Sequence, residues 1–423
     1  MKADPEKIPE IRASFARMET KDDLVKALNL AKEILYGKGV NEFSLKNITY
    51  YADTRFQRKR YSEFQIPKKQ GGTRTIHAPV PGLKAILRCL NLLLLSVYED
   101  GYENEAMGFI PGKSIKNNAE WHTGKSFVFN IDLKDFFPSI DLYRVKTIFQ
   151  LPPFNLKGEK EPLAYLMARL CCEKMEVVRK DNLGAEIKKV ATVLPQGAPT
   201  SPAITNFIAR KMDRRLKGVA KRFGVAYTRY ADDITFSSNH NVYKKGGDFL
   251  LEVEKIISEQ GFCINESKVR LQQREYRQEV TGLIVNEHPN VPRKFVKQMR
   301  QWIYLWEHYG YEKANLFFRR DYSQKAGRVL AFIPPLDLVL DGKLKYMKMV
   351  VGPEHTTWMK LNSRYSLLTQ DRVISDPDLL DINKALESLF VEMRKNIDEF
   401  IAEVNYHQET NQAINIDDNE ATD

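Results

Sequence analysis

The sequence predicts an α+β fold, with antiparallel strand pairs set among helices and a mainly helical region after residue 290. Three observations carry this. Short runs of strand formers at 127–131 and 225–236 are flanked by stretches with helical spacing. Two turns containing glycine, Gly71-Gly72 and Asn182-Leu183-Gly184, sit between strand-like arms and read as hairpins. Further on, Phe295, Met299, Trp302 and Trp306 recur at the spacing of one helix face.

Composition narrows the class. A chain of 423 residues is long enough for two or three packed subdomains. With 43% hydrophobic and 28% charged residues it falls among globular proteins rather than disordered ones. No apolar run reaches the roughly 18 residues of a membrane span, and the greasiest stretch, CLNLLLLSVY at 89–98, suits a buried helix. The N-terminal residues lack the apolar core of a signal peptide. Cys89, Cys171, Cys172 and Cys263 form no CxxC pair, which argues against a zinc site or a disulfide framework and fits a reducing cytoplasm. Net charge is +10, and the last 18 residues hold five acids and no Lys or Arg, leaving +15 on the rest. Such a body implies a polyanionic partner, most simply nucleic acid; a cationic surface kept for solubility is the plainer alternative.

In chain order, residues 1–50 read as an amphipathic helical extension, with Leu24, Ala27, Leu28, Ala31 and Leu35 at near-helical spacing until Gly37 and Gly39 break it. Residues 55–84 hold eight Lys or Arg against one acid, Glu63. A hairpin turning at Gly71-Gly72 places Lys68 and Lys69 on one arm and Arg74 on the other, an arrangement suited to a triphosphate because guanidinium binds phosphate bidentately. His77, between Ile76 and Ala78, reads as structural. Residues 83–123 look helical, with Leu83, Ile86, Leu87, Leu90 and Leu94 on one face, and PGKSIKNN forms a basic loop whose Lys113 and Lys116 could meet phosphates. Asn118 and His122 lie four apart on one face, either as a local hydrogen-bonded pair or as contacts to nucleic acid. Phe127–Ile131 reads as a strand ending at Asp132, and Pro138 ends the strand character. A loop at 151–162 precedes a helical PLAYLMARLCC, and LPQGAPTSP turns into a helix starting near Ser201-Pro202. Phe249, Leu250, Val253, Ile256 and Ile257 line a helix within 242–260. Asn265 to Lys268 precede a strand, and EVTGLIVNE reads as a hairpin. Arg293, Lys297 and Arg300 form a basic face opposite the aromatic one. Residues 377–405 read as a helix and 407–423 as an acidic disordered tail.

The chemistry concentrates on three aspartates. Tyr230-Ala231-Asp232-Asp233 joins two strand-like runs, so two carboxylates sit side by side at a polar turn, and their repulsion calls for a cation or an arginine. By itself this is also an ordinary Asp-Asp turn. Asp132 ends another strand 100 residues earlier. On neighbouring strands the three would bind two Mg²⁺, an ion that takes oxygen ligands and uses carboxylates together with substrate phosphates. Two such ions clamp the attacking and leaving oxygens of an in-line phosphoryl displacement.

IDLKDFFPSI, LPQGAPTSPAITN and YADD, in that order, resemble motifs A, B and C of reverse transcriptases. Asn118-Ala119-Glu120-Trp121-His122 is similar to the NAxxH pattern of the bacterial retron type, Val280-Thr281-Gly282 to its VTG triplet, and GFIPGKSI is also family-like. The resemblance runs over about residues 60–355. It implies a right-hand polymerase, with fingers and palm over 51–289 and a mainly helical thumb over 290–375, flanked by the extension at 1–50, a C-terminal helix at 376–406 and the tail at 407–423.

The resemblance also implies roles. Asp132, Asp232 and Asp233 would hold metal with the Leu133 carbonyl beside them. Lys268 falls at the motif D lysine, a candidate general acid for pyrophosphate, where a surface lysine is the alternative. Lys69 and Arg74 would bind triphosphate; Gln196 and Gly197 would bracket nucleotide and template, Gly197 letting backbone approach closely. Phe137, five residues after Asp132, falls where the family places a ring beneath the sugar to exclude a ribose 2′-OH; as one of the pair Phe136-Phe137 it also reads as core. Lys113, Lys116, Asn118, His122, Arg293, Lys297 and Arg300 are the candidate RNA contacts. The implied function is RNA-directed DNA synthesis with two Mg²⁺ and dNTPs on a structured noncoding RNA, yielding cDNA, in phage defence, with an effector protein or a second copy as candidate partner. A catalytically silent or maturase-like RNA-binding protein is the alternative, against which the three aspartates and Phe137 stand. An RNA-dependent RNA polymerase is disfavoured by Phe137.

Overall fold

The computed structural model describes residues 7–53, 59–67, 72–98, 102–180, 185–326 and 332–375. Lys68, Lys69, the turn at 182–184 and the segments expected at 376–423 lie outside the described residues.

The N-terminal extension is three helices: α1 (Ile8–Ala16), α2 (Lys21–Tyr36) and α3 (Leu45–Ala52). A capping box between Thr20 and Asp23 starts α2, and Gly37, at φ 93°, ends it. β1 (Tyr61–Pro67) and β2 (Thr73–Pro79) pair antiparallel, and α4 (Pro81–Val97) buries the predicted leucine face. The helical reading of 83–123 is too long. Residues 102–114 are non-helical, and helix resumes only at α5 (Ile115–Glu120), which Ser114 caps. Then come β3 (Phe127–Lys134), α6 (Leu142–Gln150), α7 (Glu161–Cys171), the hairpin of β4 (Glu173–Lys180) with β5 (Glu186–Val193), and α8 (Ser201–Arg222). β6 (Ala226–Tyr230), β7 (Asp233–Ser238), α9 (Asp248–Glu259), β8 (Cys263–Ile264) and β9 (Arg270–Gln273) follow, then β10 (Glu279–Val280) with β11 (Leu283–Ile284). The chain continues as α10 (Arg293–Ala326), kinked where Gly310 leaves helical geometry at φ 77°, then α11 (Leu336–Val351) and α12 (Thr356–Ser375). No helix among the described residues is long and apolar enough to cross a membrane.

The described chain forms two compact units, each assembled from separated segments. The first takes the described residues up to 102 and those within 135–210, and the second takes 103–134 and the described residues from 211 onward. In the first, α1 and α2 pack on α4, and α6 and α3 pack on α7.

The second unit is built on a sheet in the order β6-β7-β3-β8, with β9 also paired to β3. β7 runs antiparallel along β3 from Phe127↔Ser238 to Asp132↔Asp233. On the other side of β3, β9 pairs with Phe127–Asn130 and β8 with Leu133 and Lys134. Both faces of β3 are covered. Phe129 stacks on Tyr243 at 5.1 Å, while neighbouring Val128 joins an apolar cluster with Val280, Leu283, Met299, Trp302, Trp306 and Met347. Residue 290 is therefore not a boundary between the two units: the rings of Trp302 and Trp306 are buried in one core with the strands.

Candidate active site

Tyr230 pairs with Asp233, leaving Ala231-Asp232 as a two-residue hairpin turn. Ala231 has φ 57°, a left-handed conformation that costs a residue with a Cβ about 1–2 kcal/mol. Three contacts hold the turn. The Leu133 N–H donates to the Asp232 carbonyl at 3.0 Å. The buried Arg229 guanidinium donates through Nη1 to the Ala231 carbonyl at 3.0 Å. Gly108 lies against the turn so closely that a Cβ there would stand 2.5 Å from the Ala231 nitrogen, which gives the glycine of GFIPG a steric reason. The loop carrying Gly108 runs alongside β6 in a parallel bridge between Ala106 and Arg229, with Arg229 N–H donating to Glu105 O at 2.9 Å and Met107 N–H to Arg229 O at 2.8 Å.

The register brings Asp132 opposite Asp233, with Asp232 next to it in the turn. Lys268 Nζ lies 2.9 and 2.8 Å from the two carboxylate oxygens of Asp132, and Asn265 Nδ2 donates to Oδ1 at 3.0 Å. Lys268 is thus neither a free surface lysine nor remote from the aspartates. Asp233 is open to solvent on one side, yet the protein crowded around it, then the charges of Asp232 and Asp132, push its pKa up to about 6 against the pull of Lys268 and Arg270. Where water reaches a side chain, burial disfavours its charge less, so the like charges are the part a cation would relieve. The carboxylate oxygens of the three aspartates are hard, a chemistry that suits a divalent cation. Among the described residues no group of three His, Cys, Asp or Glu side chains is gathered to hold a metal, and Asp132 is engaged by Lys268 and Asn265.

Behind the turn lies a network that sequence reasoning missed. Arg229, 0% exposed, forks onto Asp213 of α8 at 2.7 Å through both Nε and Nη2, and Tyr227 donates to the same carboxylate at 2.8 Å. The available signal was a charged residue inside an otherwise strand-forming run next to the aspartates; its partner, 16 residues earlier, carried none.

Asn118 and His122 are not RNA contacts: both are buried. Thr228 Oγ1 donates to Asn118 Oδ1 at 2.6 Å and lies 2.7 Å from His122 Nε2, while His122 Nδ1 lies 2.7 Å from Ser237 Oγ. The Thr228 hydrogen is used on Asn118, so Nε2 carries the imidazole proton and Nδ1 accepts from Ser237. Burial lowers the His122 pKa to about 3, keeping the ring neutral. The NAxxH segment therefore supports β6 and β7 beside the aspartate turn. Lys113 is likewise committed, its ammonium donating to the carbonyls of Asn104 at 2.8 Å and Ala106 at 2.7 Å, in the loop that pairs with Arg229. Lys116 reaches Glu120 at 3.9 Å and remains partly exposed.

In the first unit, the His77 N–H donates to the Gln196 carbonyl at 2.8 Å. Gly197, at φ 128°, packs so that a Cβ would lie 2.5 Å from the His77 oxygen, so only glycine lets this loop meet β2. Arg74 is exposed on β2. Phe136 is buried, and Phe137 is half-buried at 5.6 Å from it, centroid to centroid. In the second unit, Arg293, Lys297 and Arg300 are exposed along α10, while Met299, Trp302 and Trp306 are buried, as their spacing predicts. Val280↔Leu283 pairing makes Thr281-Gly282 a hairpin turn with φ 47° and 85°.

Residues 66–287 match the family model described as reverse transcriptase (RNA-dependent DNA polymerase). The retron Mx65 reverse transcriptase of Myxococcus xanthus is 37% identical over 250 residues, covering 57% of this chain and 55% of that protein. The retron Ec86 reverse transcriptase of Escherichia coli is 33% identical over 266 residues, covering 61% of this chain and 72% of that protein. The chain spans about half the length of the Myxococcus xanthus relatives it matches. Among solved structures, telomerase from Candida Tropicalis in complex with a fragment of telomeric RNA aligns over 83% of this chain and 61% of that one, at 13% identity and a TM-score of 0.41. By its motifs, the family model and the two retron relatives, the chain belongs to the reverse transcriptases, and among them to the retron type.

Proposed function

We propose that this chain is an RNA-directed DNA polymerase that copies a structured noncoding RNA partner into cDNA, in the service of phage defence. The observation that carries the reading is the pairing of Asp132 with Asp233 across two strands, with Asp232 in the adjoining turn. The family works with divalent metal ions. Asp132, Asp232 and Asp233, with the Leu133 carbonyl, are the residues that would hold two Mg²⁺. Bound there, the ions would supply the positive charge that stabilises the attacking and leaving oxygens.

The remaining roles fall to the chain's own groups. Lys268, already hydrogen-bonded to Asp132, would give a proton to the pyrophosphate oxygen as it leaves. Arg74 would pair with triphosphate oxygens, and the Gln196-Gly197 backbone would border the nucleotide and template. Phe137, the half-buried ring of the phenylalanine pair, would lie beneath the sugar. Arg293, Lys297 and Arg300 would follow the phosphates of an RNA-containing duplex, whose A-form is recognised by shape and backbone.

The test is primer extension. Asp232→Asn or Asp233→Asn should abolish extension on an RNA template while RNA binding stays near wild type, because the carboxylates serve catalysis and the basic residues serve RNA. A purified double Asn variant that still extends at the wild-type rate would mean the site is misassigned. Sequencing the nucleic acid that co-purifies with the protein identifies the partner: a structured RNA with its cDNA supports the reading, and bulk tRNA alone counts against it.

A further inference from the structure

The geometry assigns Arg229 as a positioning residue for the aspartate turn, acting with Asp213 and resting on the polymerase reading above. Two arms of its guanidinium, Nε and Nη2, are fixed on Asp213 at 2.7 Å each, and a third, Nη1, holds the Ala231 carbonyl at 3.0 Å. That carbonyl belongs to the peptide joining Ala231 to Asp232, so its direction sets the plane from which the Asp232 side chain departs. The same stretch contains a strained element, since Ala231 keeps φ 57° with a Cβ in place. A turn free to relax would rotate this peptide and carry Asp232 with it.

The clamp is anchored firmly. Arg229 and Asp213 are 0% and 1% exposed, and Tyr227 donates a further hydrogen bond to Asp213. A planar, bidentate ion pair inside the protein cannot swing as a surface arginine does. Asp232 is also held from the other side, its own carbonyl accepting from the Leu133 N–H on β3. The two peptide planes flanking Asp232 are thus tied to two different elements, α8 through Arg229 and β3 through Leu133.

Arg229→Lys separates this role from general support of the fold. Lysine keeps the charge facing Asp213, but its single nitrogen cannot span both Asp213 and Ala231. The folded variant should bind RNA template and primer with wild-type affinity and keep its KM for dNTP, while kcat falls by about 10²-fold, the cost of misplacing a reacting group by about 1 Å. Adding Ala231→Gly should recover about tenfold or more of kcat, because glycine adopts the left-handed turn without cost. If the lysine variant does not fold, the pair Arg229→Gln with Asp213→Asn serves instead: it leaves no uncompensated buried charge, removes the third arm, and is expected to show the same kcat loss. Wild-type kcat in the folded variant, loss of RNA binding in parallel with kcat, or failure of Ala231→Gly to rescue would each overturn the assignment. Wild-type extension tests the polymerase reading, whereas the ratio of variant to wild type tests Arg229 alone.

Discussion

Phe136 and Phe137 are neighbours with different surroundings, one buried and one half-buried. That leaves one ring of the pair for contact with a ligand, and it is the one five residues after Asp132. A ribose 2′-OH brought against the Phe137 ring would lose water without gaining a partner, at about 1–3 kcal/mol. This corresponds to a roughly tenfold to hundredfold rate ratio between dNTP and rNTP. Phe137→Ala should therefore admit ribonucleotides while DNA synthesis stays measurable. A ring serving only as core predicts a cavity instead, with about 3–5 kcal/mol of stability lost and sugar preference unchanged. Comparing dNTP and rNTP incorporation by the folded variant decides between them, and an unchanged preference removes the assignment. Other single residues were less legible. Asn118, His122 and Lys113 are polar residues in a polar stretch, which reads as exposed, yet Thr228, Ser237 and a set of backbone carbonyls bury or engage them. Those partners are more than a hundred residues away for Asn118 and His122, beyond the reach of periodicity.

The hairpin of β6 and β7 is the element on which most of the site depends, and the sequence disclosed its strands and its turn because strand formers flank a short polar tetrapeptide. It did not disclose what supports them. His122 sits behind both strands, accepting from Ser237 of β7 and donating to Thr228 of β6. Its pKa, lowered by burial from 6.5 to about 3, makes that support sensitive to acid. Above pH 6.5 the ring is neutral in both folded and unfolded chains, and its contribution is fully present. As pH falls from 6.5 towards 3 the unfolded chain binds a proton that the folded chain excludes, so stability is lost at about 1.4 kcal/mol per pH unit. Thermal unfolding of the wild type should therefore weaken faster between pH 6 and pH 5 than that of His122→Gln, by the equivalent of about this slope. The variant begins less stable, because glutamine cannot reproduce both hydrogen bonds, but its pH dependence should be flatter. Equal slopes in the two proteins would mean that His122 is not held neutral.

At the scale of the molecule, the sequence reading divided the chain into consecutive segments, whereas each of the two compact units draws on separated stretches. Apolar periodicity marks which face of a helix is buried; it does not say against which strand, so the shared core of Trp302 and Val128 was out of reach. Charge, in contrast, is a property of the whole chain that composition gives directly. The +15 carried ahead of the acidic end should act on RNA by releasing counterions, so that log affinity falls linearly with log salt. On α10 the exposed Arg293, Lys297 and Arg300 are the part of that charge whose spacing and exposure both suit phosphate contacts. If each neutralises one phosphate, the triple alanine variant should lower the slope of log K against log salt by about 2–3. Base-edge contacts do not change, so the loss of affinity should be uniform across RNA sequences. The buried Met299, Trp302 and Trp306 face away from these three side chains, so the variant is expected to fold. RNA titrations at several salt concentrations, on wild type and variant, give both slopes. An unchanged slope would show that this face of α10 carries no phosphate, and the source of the salt dependence would then have to be sought among the other lysines and arginines of the chain.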